Sequence, residues 1–338
     1  MRLWIDLANS PHVPFFKALV TRFVERGHEI EITARDFAET VPLAKAAGFA
    51  PQVVGAHGGR QVSAKAGNLM SRAWSLATWA RKRRFDLAIS HNSYSQILAA
   101  RGLRIRPVTL MDYEYQPANH LAFRLTSRII VPASFPAQRL RRYGASAAKV
   151  RRYHGTKEDV YLADFQPDPS FARQLCELGV RPDNVLVLMR PPARDALYHR
   201  FENKLFDEAL TLLLNREDVQ VVLLPRNEAQ RATYGSMAHD RLVIPPQPLD
   251  GANLIAASDL VISAGGTINR EAAALGVPVA SIYAGQWAAV DQELMNEGRL
   301  KRLGTLQDLN DLVIEKKECF RPRRATPVIE EIVNLIFE

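Results

Sequence analysis

The sequence predicts an α/β protein of two Rossmann-like, doubly wound parallel-sheet domains facing a cleft. Three observations lead there. Short apolar runs alternate with longer segments of helical period through both halves of the chain. The length, 338 residues, matches about two domains at roughly 100–200 residues each. A stretch over residues 161–183 holds Pro167, Pro169 and Pro182, shows no clear strand, and reads as a linker.

In the first half Leu3–Leu7 reads as a strand and Phe15–Arg26 as a helix stopped by Gly27. Glu29–Thr33 is the next strand, Thr40–Ala47 a helix closed by Gly48, and Gln52–Val54 a brief strand before the loop His57-Gly58-Gly59-Arg60. A long helical pattern covers Lys65–Arg84. Strands at Leu87–Ser90, Val108–Met111 and Arg128–Val131 then alternate with helices at Ser95–Arg101, Ala118–Leu125 and Ala137–Tyr143. The second half repeats the rhythm with strands at Val185–Met189, Val219–Leu224, Leu242–Ile244, Leu260–Ser263 and Val279–Ile282. Pro327–Phe337 reads as a terminal amphipathic helix. The expected domains are residues 1–165 and 184–320, with the segment 321–338 packing back on the first. Ligands of such sheets sit outside the carboxyl ends of the strands, so the loops there, and a cleft between the halves, are where chemistry is expected.

Composition narrows the class. With 47% hydrophobic and 24% charged residues the chain can build real cores and is not disordered. No apolar run approaches the ~20 residues that span a bilayer, and Asp6 interrupts the opening Leu3-Trp4-Ile5 too early for a signal peptide. Cys176 and Cys319 make no metal cage or disulfide framework, and the eight histidines show no ligand spacing, so no metal is expected. The expected setting is cytoplasmic, with reduced thiols. The net charge of +8 favours an anionic partner. The excess is local: Arg81-Lys82-Arg83-Arg84, then Arg101, Arg104 and Arg106, then Arg139, Arg141, Arg142, Lys149, Arg151 and Arg152. A solvated basic face is the plainer account; phosphate attraction or an anionic membrane surface are the others. Aromatic interleaving is absent, so nucleic acid is not expected as a partner.

The strongest motif runs from Leu260 to Val279. An apolar strand ends in Ser263; Ala264-Gly265-Gly266 follow; a helix begins with Thr267 at or near its N-cap and carries Asn269 and Glu271 in its first turns. Glycines let a backbone approach a ligand, and a helix start favours an anion by about 0.3–1 kcal/mol. A diphosphate fits there, with Glu271 near enough to accept from a ribose. A tight turn with no ligand is the plainer account. Arg190 closes the first strand of the second half, where a guanidinium can fork onto phosphate.

Two loops of the first half carry acid–base candidates. In Asn9-Ser10-Pro11-His12-Val13-Pro14, Ser10 or Asn9 caps the following helix and His12 is placed to act as a general base. In Met111-Asp112-Tyr113-Glu114-Tyr115-Gln116-Pro117-Ala118-Asn119-His120, Asp112 and Glu114 lie two apart and can divide acid and base duties. The plainer readings are a structural histidine and solvated acids. Ser90-His91-Asn92-Ser93 ends a strand and is a weaker candidate, as is His57–Arg60. On the helix at 65–84, Leu69, Ala73, Leu76, Ala77 and Ala80 form a stripe that packs on the sheet; the alternative is a surface helix that sinks Trp74 and Trp79 into a membrane interface beside Arg81–Arg84.

Three segments together carry a resemblance: Trp4-Ile5-Asp6-Leu7-Ala8-Asn9-Ser10-Pro11-His12-Val13-Pro14-Phe15-Phe16, Thr33-Ala34-Arg35-Asp36, and the glycine segment above. Over nearly its full length the chain resembles an uncharacterised prokaryotic GT-B-like family. More distantly it is similar to UDP-N-acetylglucosamine 2-epimerase and to the lipid-linked N-acetylglucosaminyltransferase of peptidoglycan synthesis. The resemblance implies a nucleotide diphosphate held by Gly265, Gly266 and Thr267, with Glu271 on the ribose and Gln286 and Gln292 near the sugar. The expected substrate, with no cofactor, is a nucleotide diphosphate sugar, UDP-linked, used by a glycosyltransferase of cell-surface polysaccharide or glycolipid synthesis; the basic segments and the tryptophan helix point to an anionic membrane surface or a lipid-linked acceptor as the further partner. Where the epimerase has His-x-Glu followed by a glutamate pair, this chain has Asp112, Glu114 and Ala118-Asn119, which weakens the 2-epimerase alternative. A third alternative is a non-catalytic protein that binds anionic lipid or nucleic acid. The first strand is not followed by GxGxxG, which disfavours a dinucleotide-dependent dehydrogenase, and GxxxxGK[ST], HExxH and GxSxG are missing, which excludes the P-loop, zinc-peptidase and hydrolase-elbow readings.

Overall fold

A computed structural model of the chain describes residues 1–37, 39–56, 62–192, 204–323, 325 and 327–338. It divides into two units: Met1–Tyr161 with Ala288–Val290 and Ala325–Glu338, and Leu162–Trp287 with Asp291–Arg324.

The first unit runs β1 (Arg2–Leu7), α1 (His12–Glu25), β2 (Glu29–Asp36), α2 (Thr40–Ala46), β3 (Gln52–Ala56), α3 (Val62–Ala80), β4 (Leu87–His91), α4 (Tyr94–Gly102), β5 (Arg106–Leu110), α5 (Asn119–Leu125), β6 (Arg128–Pro132), α6 (Ala137–Arg142), β7 (Val150–Tyr153) and α7 (Lys157–Leu162). Among the described residues its strands form one seven-stranded parallel sheet, ordered β3-β2-β1-β4-β5-β6-β7. The order reverses between β1 and β4, which pair with Leu3 opposite Leu87 and Ile5 opposite Ile89. Helices cover both faces, so β1 is apolar on both, as parallel strands require. Leu3, Ile5 and Leu7 pack with Phe16, Leu19 and Phe23 of α1. Trp4 packs on the other side with Leu76 and Ala80 of α3, and with Ala99 and Ala100 of α4.

One buried ion pair fixes the carboxyl end of β1. Asp6, fully buried, receives Arg72 of α3 through two hydrogen bonds, Nη1 to Oδ2 at 2.9 Å and Nη2 to Oδ1 at 2.8 Å. Thr33 Oγ1 donates to Asp6 Oδ1 at 2.6 Å, and Ser93 Oγ donates to Asp6 Oδ2 while accepting the Gln96 N–H that caps α4. A buried carboxylate is tolerated only with such pairing.

The second unit runs α8 (Phe171–Glu177), β8 (Val185–Arg190), α9 (Lys204–Leu214), β9 (Val219–Leu223), α10 (Glu228–Gly235), β10 (Leu242–Val243), α11 (Gly251–Ala257), β11 (Leu260–Ser263), α12 (Gly266–Leu275), β12 (Val279–Ser281), α13 (Ala289–Asn296, whose Ala289 and Val290 belong to the first unit), β13 (Lys301–Arg302) and α14 (Leu306–Asn310); α15 (Pro327–Phe337) ends the chain in the first unit. Its parallel sheet is ordered β10-β9-β8-β11-β12-β13 and reverses between β8 and β11. The segment expected as a linker carries α8, with Phe171 and Leu175 buried.

Candidate functional site

The reversal points of the two sheets hold the candidate side chains, each within its own unit. In open α/β sheets these are the places where neighbouring connections run to opposite faces and leave a crevice at the strand ends.

In the second unit, Ser263 ends β11 directly beside Arg190, which ends β8. Gly265 is the N-cap of α12 and no side chain caps this helix; Thr267, expected at the cap, is the second helical residue. A Gly-Gly turn offers no side-chain oxygen, so the first N–H groups of the helix are left without a side-chain cap. Ser263 and Asn269 bond to each other within the motif. Ser263 Oγ donates to Asn269 Oδ1 at 2.7 Å and accepts from the Gly265 N–H at 3.1 Å, which locks the turn internally.

Arginines surround the turn. Arg190 is half-buried and its Nε has no hydrogen-bond partner among the described residues. Burial lowers its pKa, and Glu271 opposes that shift, so Glu271 of the first turns of α12 faces Arg190 electrostatically. Arg226, three residues past β9, anchors its Nε on the Pro191 carbonyl at 2.7 Å and spreads over Gly265: a β-carbon there would come within 2.6 Å of its Nη2. Arg270 pairs through two hydrogen bonds with the buried Asp291, at 2.6 and 3.1 Å, and its Nη2 lies 3.7 Å from the β-carbon position of Gly266. Sequence reasoning missed Arg226 and Arg270 as members of this site. The signal for Arg226 was its position just beyond the carboxyl end of the strand next to β8. Among the described residues no bond brings Gln286 to the turn; it is exposed, and Gln292 lies exposed within α13.

In the first unit, His12 is the first residue of α1, and Pro11 is its N-cap, without a side-chain cap. The expected caps do other work: Asn9 Oδ1 accepts from the Ser10 N–H, and Ser10 Oγ meets Thr40 Oγ1 at 3.4 Å. The His12 ring stands 5.0 Å from that of His91 at the end of β4, and its buried Nδ1 has no hydrogen-bond partner among the described residues. Burial first, then the charges of His91 and Lys157, push the His12 pKa well below its ordinary value against a smaller pull from Asp112. Asp112 is buried between His91, with Nε2 3.7 Å from Oδ1, and Lys157, with Nζ 3.2 Å from Oδ2. Lys157 also lies 3.5 Å from Glu158 Oε1.

Glu114, fully buried, accepts from the Ala289 N–H at 2.7 Å, and its carbonyl accepts from Tyr143. The loop acids are therefore held in the interior, not solvated. His91 and Lys157 complete the cluster. His91 was noted in the sequence; Lys157 was not, because the strand before it was not read as one. His57–Arg60 lies outside the described residues. Among the described residues no group of three or more His, Cys, Asp or Glu is placed to hold a metal ion.

Two doubly wound parallel sheets with their polar side chains gathered at the reversal points define a protein of GT-B-like fold. Solved structures share it: the UDP-GlcNAc 2-epimerase of Methanocaldococcus jannaschii in complex with UDP-GlcNAc and UDP has a TM-score of 0.75 at 13% identity, over 100% of this chain and 99% of that one. A spinosyn rhamnosyltransferase has a TM-score of 0.57 at 15% identity, over 100% and 92%. The chain belongs to the family described as "Protein of unknown function (DUF354)", which matches residues 1–338. It is 28% identical over 341 residues to an uncharacterized protein of Methanocaldococcus jannaschii, covering 99% of this chain and 96% of that protein.

Proposed function

We propose that this protein is an enzyme acting on a nucleotide diphosphate sugar, UDP-linked, and that it is a glycosyltransferase. The observation that carries the reading is the uncapped Gly265–Gly266 start of α12, set at the β8/β11 reversal and flanked by Arg190, Arg226 and Arg270. Breaking the bond at the anomeric carbon leaves negative charge on the diphosphate. Helix-start N–H groups and guanidinium groups placed beforehand stabilise that charge as it develops, and need not reorganise during the reaction. Glu271, opposite Arg190, is the acceptor for the ribose hydroxyls. In the first unit, Asp112 and the neutral His12 are the groups available to take a proton from an acceptor hydroxyl.

The 2-epimerase is the second reading. It is favoured by the epimerase structures that share the fold, such as the one bound to UDP-GlcNAc and UDP. Against it stand the Ala118-Asn119 pair and the engagement of Glu114 by a backbone N–H. Isothermal titration with UDP, GDP and their sugars tests the common core. UDP should bind, Gly266→Trp should abolish binding, and Arg226→Ala should weaken it roughly 10- to 100-fold, the range of a lost charge-assisted bond. Full affinity in both variants would remove the turn as the diphosphate site. Solvent deuterium appearing in the sugar would decide for the epimerase.

A further inference from the structure

Helix α3 presents a face that the described residues leave uncovered. Trp79 is accounted for: its ring stacks on Phe85 at 5.6 Å, tilts against Trp4 at 5.7 Å, and carries the Arg83 guanidinium at 4.2 Å. The inner stripe packs as well, with Ala73 5%, Leu76 0% and Ala80 0% exposed. Trp74 does the opposite. It is 77% exposed, and Met70, one helical turn earlier and so on the same face, is 60% exposed. An indole in water gives up the stabilisation that burial of so large an apolar surface supplies, so a Trp–Met pair at this spacing points to a surface that covers it.

The charge beside this pair identifies the surface. From Val62 to Phe85 there is no Asp or Glu. Arg81, Lys82 and Arg84 follow the helix directly, all exposed, and none forms an ion pair among the described residues. Arg83 differs: it is held by Glu31 at 2.8 Å and by the Trp79 ring. Three unneutralised cations next to an exposed indole and thioether match the layered chemistry of an anionic bilayer. Phosphate headgroups would meet the cations, and the boundary with the acyl chains would take the Trp74 ring, where amphipathic aromatic side chains settle. A nucleic acid would use the cations but has no equivalent use for Met70, and a single exposed ring makes no stacking platform. No helix among the described residues is long and apolar enough to cross a membrane.

We propose that α3 and the Arg81–Arg84 segment dock the protein on an anionic phospholipid surface, with Trp74 and Met70 as the inserted residues. This is independent of the nucleotide site and would place an enzyme of that kind where lipid-borne acceptors lie. The test is co-sedimentation of the full chain with vesicles of phosphatidylcholine alone and of phosphatidylcholine mixed with phosphatidylglycerol, at low and high salt. Binding should be confined to the mixed vesicles and should fall with salt. Trp74→Ser should weaken it about tenfold, and the triple variant Arg81→Glu, Lys82→Glu, Arg84→Glu should weaken it at least as much. These side chains are exposed, so the thermal midpoint of each variant should match the parent, and a UDP titration on the same samples keeps the two readings separate. No binding, equal binding to neutral vesicles, or binding unchanged by Trp74→Ser would overturn the proposal. So would RNA binding that the triple variant loses while its vesicle binding stays intact.

Discussion

A histidine buried without a hydrogen bond at Nδ1 is a pH-dependent element of the fold whatever else it does. The His12 pKa lies well below its unfolded value of 6.5, chiefly through burial. As pH falls below that value, the unfolded chain takes up a proton that the folded chain refuses. Stability is therefore full above about pH 6.5 and declines toward the lowered folded pKa, by up to about 1.4 kcal/mol per pH unit from this one group. Urea unfolding of the parent and of His12→Asn across that window should show a shallower decline in the variant, with the other titrating groups cancelling in the difference. Equal slopes would mean that His12 is not held neutral. At this scale the sequence is legible where a residue follows a strand: His12, Asp112 and Arg190 stand at or just past strand ends, as the sequence places them, where open sheets collect polar groups. It is illegible where the partner comes from a distant element. Nothing near Asp112 announces that Lys157, 45 positions away, will neutralise it.

Elements follow a similar division. Most strands and helices stand within a few residues of where apolar period and Gly or Pro punctuation put them, as Leu260–Ser263 and Pro327–Phe337 show. β7 and β13 were not read as strands. The first is Val150-Arg151-Arg152-Tyr153, whose arginines look solvated but are used: Arg152 donates to the carbonyls of Ala133 and Phe135 at 2.6 and 2.8 Å, and Arg151 pairs with Glu338 at 2.8 Å. The second has only two residues, Lys301 and Arg302, both exposed at the sheet edge. Strands whose order comes from the sheet rather than from burial carry no apolar signature. The end of α12 shows the converse, a local signal that fixes geometry outright. Gly276 adopts φ 70°, and a β-carbon there would lie 1.7 Å from the Arg321 carbonyl oxygen, a backbone atom that cannot swing aside. Left-handed strain and that collision add, so Gly276→Ala should destabilise the protein by about 3 kcal/mol or more. Gly179→Ala is the control: it shares a positive φ but has open space around the added carbon, and should cost about 1–2 kcal/mol. Chemical denaturation of both variants checks the ranking, and equal costs would show that the Arg321 strand of chain is not held against α12.

At the scale of the whole molecule the first unit is closed by the chain's last residues. Helix α15 brings Ile332, Val333 and Ile336, each fully buried, into the core built by β1 and α1. Its charges match those of the unit: Glu330 meets Arg22 at 3.0 Å and Arg26 at 2.8 Å, and Arg128 donates to the carbonyls of Leu335 and Ile336 at its end. The surface pairs contribute little, about 0–1 kcal/mol each in solvent. Burial supplies the rest, at about 1.5–3 kcal/mol for each large aliphatic side chain. Three such residues contribute about 5–9 kcal/mol, which is comparable to the whole stability of a domain. The first unit is thus complete only after the second has been synthesised, since one of its core helices follows it in sequence. Ile332→Asp in the full chain should therefore cost more than about 4 kcal/mol, because it combines lost burial with an unpaired interior carboxylate. The loss should be local, since the second unit has its own core around Val187, Met189, Val221 and Ile262. Hydrogen exchange read by mass spectrometry should show amides of β1, β2 and β4 losing protection in Ile332→Asp, with those of β8, β9 and β11 unchanged. Glu330→Ala should leave both sets protected. Uniform loss across both sheets would mean that the two cores unfold as one.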